Sequence, residues 1–108
     1  MSIDQTNVVD IIGTDNETRD VVLFITDHLM WSENLNEHLL LLQEKLNTYL
    51  SFVESGELLE RYPNAKDRAV LIDVVCKYPP SQQAQGFCNQ AAQIIEGAGM
   101  KLRFSHPH

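Results

Sequence analysis

Hydrophobic residues in this chain follow two different spacings, and each spacing predicts a different kind of element. Short runs rich in β-branched residues occupy positions 8–12, 21–26 and 70–76, and positions 100–104 alternate between apolar and charged side chains. Such runs are typical of strands. Two longer segments repeat apolar residues every three or four positions, which is typical of amphipathic helices. The pattern therefore predicts four strands and two main helices.

The first predicted helix has Ser32 as its N-cap, carries Glu33 in its first turn and ends near Gly56. A serine side chain accepts a hydrogen bond from a free backbone N–H, and the helix dipole favours a carboxylate in the first turn. A brief helical turn is expected at residues 57–62, before Pro63. The apolar face of the first helix is formed by Leu35, Leu39, Leu42, Leu46, Tyr49 and Val53.

The second predicted helix has Ser81 as its N-cap and ends at Gly97 and Gly99. Gly86 lies inside it and costs up to about 1 kcal/mol relative to alanine, so we expect this helix to depend on packing. Its apolar face is formed by Ala84, Phe87, Cys88, Ala91, Ile94, Ile95 and Ala98.

The order of these elements is β-β-α-β-α-β. We expect one α+β domain over residues 1–108, with a four-stranded sheet and both amphipathic helices on one face of it. The first two strands are close enough along the chain to pair as an antiparallel hairpin. The order of the strands in the sheet stays open, and the third strand can run in either direction relative to the second.

Composition narrows the partners that this domain can have. Eight basic and fifteen acidic residues among 108 give a net charge of −7. Nucleic acid is an unsuitable partner, because affinity for phosphates comes from lysine and arginine. No apolar run approaches the ~18 residues that a membrane span requires, and the N-terminus lacks a signal-peptide pattern. We expect a cytoplasmic protein whose acidity serves solubility or a basic protein partner.

Two cysteines, Cys76 and Cys88, are too few for a disulfide framework or a zinc site. Both fall in phase with apolar residues, so we expect two buried, inert thiols in the same core. A redox pair is the alternative, but the sequence places no basic residues around them to lower a thiol pKa. No glycine-rich phosphate loop or serine-elbow motif is present, and we expect no cofactor.

The first half of the chain carries a specific pattern of segments. They are VDIIGTD (9–15), VVLFITDHL (21–29), Trp31, EHL (37–39), LLQEKLN (41–47), YL (49–50) and ESG (54–56). Together they resemble a family of small uncharacterised bacterial proteins, described as a domain of unknown function. The resemblance covers nearly the whole chain and implies a bacterial cytosolic protein of one domain. It implies no catalytic residue.

Four polar residues form a candidate site. Asp27 and His28 follow the second strand, and Glu37 and His38 lie on the first helix near Glu33. A carboxylate can orient a histidine for acid–base chemistry, and the cluster could hold a divalent metal, although it lacks paired-histidine spacing. The alternative is a solvated helix start beside a strand-end cap.

Five apolar residues form a candidate interaction surface. Leu41 and Phe52 lie about 100–120° around the first helix from its apolar face. Leu71 and Val75 face away from the helices if Ile72, Val74 and Cys76 face them. The remaining residue, Trp31, either packs onto the first helical turn as a hydrophobic staple or binds a partner.

These observations predict a non-catalytic module that binds a protein or itself. A homodimer would cover the apolar helix flank or the open sheet face. An immunity- or antitoxin-like role against a basic toxin is one concrete form of such binding. The alternative is a small enzyme or metal-binding protein that uses Asp27, His28, Glu37 and His38.

Overall fold

The computed structural model describes residues 3, 6 and 9 and residues 11–106. It confirms the α+β class and the order β-β-α-β-α-β, with a short helix and a 3₁₀ turn, Pro63–Ala65, before the third strand. No helix formed by these residues is both long and apolar enough to cross a bilayer. The elements are β1 Ile11–Thr14, β2 Val21–Asp27, α1 Leu35–Glu54, α2 Glu57–Arg61, β3 Val70–Cys76, α3 Gln82–Gly97 and β4 Lys101–Ser105.

The sheet has the strand order β1-β2-β3-β4. β1 is antiparallel to β2, whereas β2 with β3 and β3 with β4 are parallel pairs. The direction of β3, which the sequence left open, is therefore parallel to β2. Each parallel pair is joined through a helix, and right-handed crossovers that advance in one direction place both helices on the same face. There α1 and α3 pack against each other and form the second layer.

The first strand lies further along the chain than the sequence predicted. We expected it at residues 8–12, but β1 spans Ile11–Thr14, while residues 8 and 10 lie outside the described part. The hairpin loop after it is held by Asp15, whose Oδ1 accepts the backbone N–H of Glu17 at 2.8 Å and of Thr18 at 3.1 Å. The N–H groups of Thr18 and Glu17 lower the pKa of Asp15. This side-chain-bonded turn explains why the hairpin tolerates a loop longer than two residues.

The core lies between the sheet and the two long helices. Alternate residues of β2 and β3 point to the helix layer, as the period of two requires. The layers are also joined by a hydrogen bond, which Tyr49 Oη donates to the carbonyl of Phe24 at 2.6 Å. Buried core residues from both layers include Leu23, Ile25, Ile72, Val74, Leu42, Leu46, Ala84, Ala91 and Ile95.

The opposite face of the sheet differs from the open apolar surface that we expected. Leu71 is only 8% exposed, and Val75 is half-buried. In register, Leu71 lies between Val22 of β2 and Lys101 of β4, so cross-strand neighbours flank it. Leu71 is therefore part of the folded domain and does not lie on an exposed interaction surface.

The first long helix begins later than Ser32 predicted. Its N-cap is Asn34, which adopts a left-handed conformation with φ 49° and makes no side-chain capping bond. Asparagine tolerates this region better than most residues. Ser32 and Glu33 therefore belong to the turn before α1. The second long helix begins as predicted, because the side chain of Ser81 accepts the Ala84 N–H at 3.2 Å.

Candidate functional site

A buried polar contact joins the end of β2 to the start of α1. Asp27 follows the phase of Leu23 and Ile25, so its side chain points to the helix layer. There Oδ2 of Asp27 lies 2.5 Å from Nε2 of His38, the fourth residue of α1. The two residues are only 2% and 1% exposed. The fold thus brings together two of the four polar residues that the sequence singled out.

Trp31 packs against the ring of this histidine. Its ring stacks on the ring of His38 with centroids 3.9 Å apart and an angle of 21° between the planes. Its Nε1 donates a hydrogen bond to the carbonyl of Tyr78 at 3.0 Å. Trp31 is buried, so it packs within its own domain and is not an exposed contact residue for a partner.

The hydrogen bonds around Asp27 orient the His38 ring. A carboxylate only accepts, so Nε2–H of His38 donates to Asp27, whose Oδ1 also accepts the Leu29 N–H at 3.1 Å. In a neutral ring the other nitrogen, Nδ1, then carries a lone pair. Within the part of the chain that the structure describes, this buried Nδ1 has no hydrogen-bond partner. An unpaired buried acceptor is costly, typically about 1–3 kcal/mol.

A cavity of about 400 Å³ adjoins this pair. Glu33 and Glu37 line it with exposed side chains, and His38 contributes to its wall, whereas His28 does not. Among the described residues, no group of three His, Cys, Asp or Glu residues is placed to hold a metal ion. The cavity is lined by Leu29, Met30, Glu33, Asn34, Glu37, His38 and Leu41.

The apolar residues predicted to meet a partner do not form one exposed surface. Phe52 and Trp31 are buried in the core, and Leu71 is buried on the opposite face of the sheet. Leu41 is half-buried and lines the cavity beside His38, on a different element from Val75. The apolar residues of α1 outside its main apolar face are thus covered largely by the domain itself.

Comparison with known protein families assigns the chain to a family. One family model spans residues 1–108. The chain belongs to DUF6572, a family of unknown function. No curated protein and no solved structure matches this DUF6572 domain.

Both thiols of the DUF6572 domain are buried beside the Asp27 carboxylate. Cys76 pairs with Asp27 in register between β3 and β2, and Cys88 lies on the buried side of α3. Burial, and next the charge of Asp27, raises the pKa of Cys76 to about 12 and that of Cys88 to about 11. The reactive thiolate is therefore strongly disfavoured at neutral pH.

Among the described residues, the large apolar side chain with the highest exposed fraction lies where the sequence predicted a buried one. Ile94 was placed on the apolar face of the second helix, yet it is 65% exposed. It lines a groove of about 210 Å³ between the outer sides of α1 and α3. We call this groove the neutral helix face; it is formed by Gln43, Leu46, Asn47, Leu50, Phe87, Gln90, Ala91, Ile94 and Ile95.

The neutral helix face is marked by missing charges, so a search for excess apolar residues in the sequence does not find it. None of the nine lining residues is ionisable, although the chain has a net charge of −7. The signal was present in the sequence, since Glu96 is the only charged residue in Gln82–Gly97. A helix with such a neutral outer side is unusual on so acidic a domain and marks a candidate contact surface.

Proposed function

We propose that the DUF6572 domain is a non-catalytic binding module that self-associates through the neutral helix face. The observation that carries this proposal is an uncharged groove, with exposed Ile94 and half-buried Leu50 and Phe87, on an acidic protein. Leu40, one turn before Gln43, adds a further exposed apolar side chain beside it.

Electrostatics favour a contact between copies at this face. Two chains that each carry −7 repel one another, and the repulsion is greatest where carboxylates approach most closely. A patch without ionisable groups is the part of the surface where two copies meet at the lowest electrostatic cost. The centres of protein interfaces are likewise depleted of charged residues and enriched in aromatic ones, and here Phe87 fills that position.

The polar residues of the face also suit a symmetric contact. Gln43, Asn47 and Gln90 have amide side chains, which both donate and accept hydrogen bonds. In a two-fold dimer the same patch meets itself, so a self-complementary donor and acceptor set is required. The apolar part of the contact is provided by Leu50, Phe87 and Ile94, which supply surface that association removes from water.

The test is the molar mass in solution, measured by light scattering over a series of protein concentrations. We expect the wild-type chain to approach twice 12.3 kDa as its concentration rises. Ile94→Glu places a carboxylate in the groove and should weaken association at least about tenfold. Leu59→Glu is the matched control, because it adds the same charge at an exposed leucine on α2, outside the groove.

Two results would overturn the proposal. A wild-type chain that stays at 12.3 kDa over the whole series does not self-associate. A dimer that Ile94→Glu and Leu59→Glu weaken equally does not use the neutral helix face.

A further inference from the structure

A second candidate site shares no residue with the neutral helix face. It is the cavity beside His38, between the loop that follows β2 and the first two turns of α1. Its lining residues are of two kinds, apolar and acidic. Leu29, Met30 and Leu41 are apolar, whereas Glu33 and Glu37 are carboxylates with exposed side chains.

The charge of this cavity favours a cation. Neither Glu33 nor Glu37 forms an ion pair with any described residue. The carboxylate of Asp27 lies behind His38 and adds negative potential to the same region. Carboxylates that converge on a partly enclosed space raise the local concentration of positive groups. The ligand that fits this field therefore carries positive charge.

The histidine specifies a second property of the ligand. His38 is 1% exposed and lines the cavity, and its Nδ1 has no partner among the described residues. Its Nε2–H donates to Asp27, so Nδ1 of the neutral ring is an acceptor. The group that completes this hydrogen bond must be a donor. An N–H cation meets this requirement. A metal ion also binds an imidazole lone pair, but among the described residues no group of three His, Cys, Asp or Glu residues is placed to hold one.

We propose that this cavity binds an alkylguanidinium group. Its planar head has five N–H donors, enough to reach the carboxylates of Glu33 and Glu37 and the Nδ1 of His38. Its aliphatic stem packs on Leu29, Met30 and Leu41. Met30 is a flexible and partly exposed side chain, so it adapts to the ligand at little cost.

Trp31 provides the readout of binding. It is the only tryptophan of the chain, and its ring stacks on His38. We would titrate the full chain with agmatine, a free alkylguanidinium, and with Nα-acetyl-arginine amide, which has the form of an arginine residue within a polypeptide. Nα-acetyl-citrulline amide is the matched ligand control, because a neutral urea replaces the guanidinium. The resonance of His38 Nδ1 would be followed by ¹⁵N NMR.

We expect saturable fluorescence changes with the guanidinium ligands, and at least about tenfold weaker binding of the citrulline compound. The double variant Glu33→Gln with Glu37→Gln should weaken binding by a similar factor. Its control is Glu44→Gln with Glu54→Gln, which removes the same charge from exposed positions of α1 outside the cavity and should change affinity less than about twofold. The Nδ1 resonance should shift on binding. Saturation by agmatine alone identifies a free small molecule, and saturation by the arginine amide identifies a side chain of a partner.

Several outcomes would overturn this inference. The absence of saturation by either guanidinium ligand leaves no site. Equal binding of the citrulline compound means that charge is not recognised. Equal losses in the two double variants would assign the effect to the overall charge of the domain, and an unchanged Nδ1 resonance would remove His38 from the site.

Discussion

Asp27 links the end of β2 to α1 and to the loop between them. One oxygen contacts Nε2 of His38, and the other accepts the Leu29 N–H. The same carboxylate raises the pKa of both thiols, although burial is the larger cause. A single side chain thus orients the histidine beside the cavity and suppresses the ionisation of two cysteines.

At the residue scale we predict that Cys76 and Cys88 are inert in the folded protein. The pKa of Cys88 is raised from 9.0 to about 11, a difference of two units, so at pH 8 its thiolate is about a hundredfold rarer than in the unfolded chain. Alkylation by iodoacetamide, followed by mass spectrometry, should therefore be slow without denaturant and rapid with it. Equal rates in the two conditions would contradict the raised pKa values.

The same shifts imply a decline of stability at alkaline pH. Both folded-state values are raised, so the folded chain keeps its thiol protons while the unfolded chain loses them. The contribution is complete below pH 9.0 and is lost as the pH rises toward the folded-state values of about 11 and 12. Replacing Cys88 with alanine should make the unfolding free energy less sensitive to pH in this range.

At the scale of the element, the two long helices begin in different ways. Ser81 has an extended backbone, and its side chain caps α3. Asn34 is left-handed and caps α1 without a side-chain bond, so the first N–H groups of that helix depend on other partners or on water. The sequence thus predicts the N-cap correctly for α3, where the backbone of Ser81 is extended. It fails for α1, because the left-handed Asn34 takes the N-cap position in place of Ser32.

We predict different effects for two serine substitutions that the sequence alone would treat as equivalent. Ser81→Ala removes the bond to the Ala84 N–H and should lower the unfolding free energy by about 1 kcal/mol. Ser32→Ala should change it by less than about 0.5 kcal/mol, because Ser32 is exposed and is not the N-cap. Urea denaturation followed by circular dichroism measures both. A cost for Ser32→Ala equal to that of Ser81→Ala would place the start of α1 at Ser32.

At the scale of the whole molecule, a polar contact on the sheet face away from the helices ties β4 to the rest of the sheet. Asp73 of β3 is buried, and its two oxygens accept bonds of 2.7 Å from Arg103 Nη2 and from Ser105 Oγ of β4. The hydrogen bond that Arg103 donates to Asp73 is also the main cause that raises the pKa of Arg103. The sheet edge is therefore held by side chains as well as by backbone pairing.

We predict that Asp73→Ala lowers the unfolding free energy by about 1–3 kcal/mol. Because both bonding partners lie on β4, amide protection against hydrogen exchange should fall most in Lys101–Ser105 and least in β1. Thr26→Ala is the control, since Thr26 is an exposed residue of the same sheet face. A uniform loss of protection over the whole sheet would argue against a local role for Asp73.

The candidate sites differ in how far the sequence predicted them. Asp27 and His38 were named from the sequence, but their contact arises from the packing of α1 on β2 across eleven residues of chain. The burial of Phe52 was not predictable from spacing, because spacing does not state how wide an arc of a helix its own domain covers. For Trp31 the sequence left two alternatives, packing onto the first helical turn or binding a partner, and only the fold decided between them. The buried Lys45 gave no signal in the sequence either.

The sequence by itself determined the elements and the class of this DUF6572 domain. Hydrophobic periodicity and the Ser81 cap act over a few neighbouring residues, so they specify β3 and α3 without knowledge of the fold. The tertiary structure alone decided the parallel direction of β3, the contact between Asp27 and His38, and the exposure of Ile94. These features depend on which elements meet in space, and that outcome is set by the packing of the whole chain and not by any local pattern.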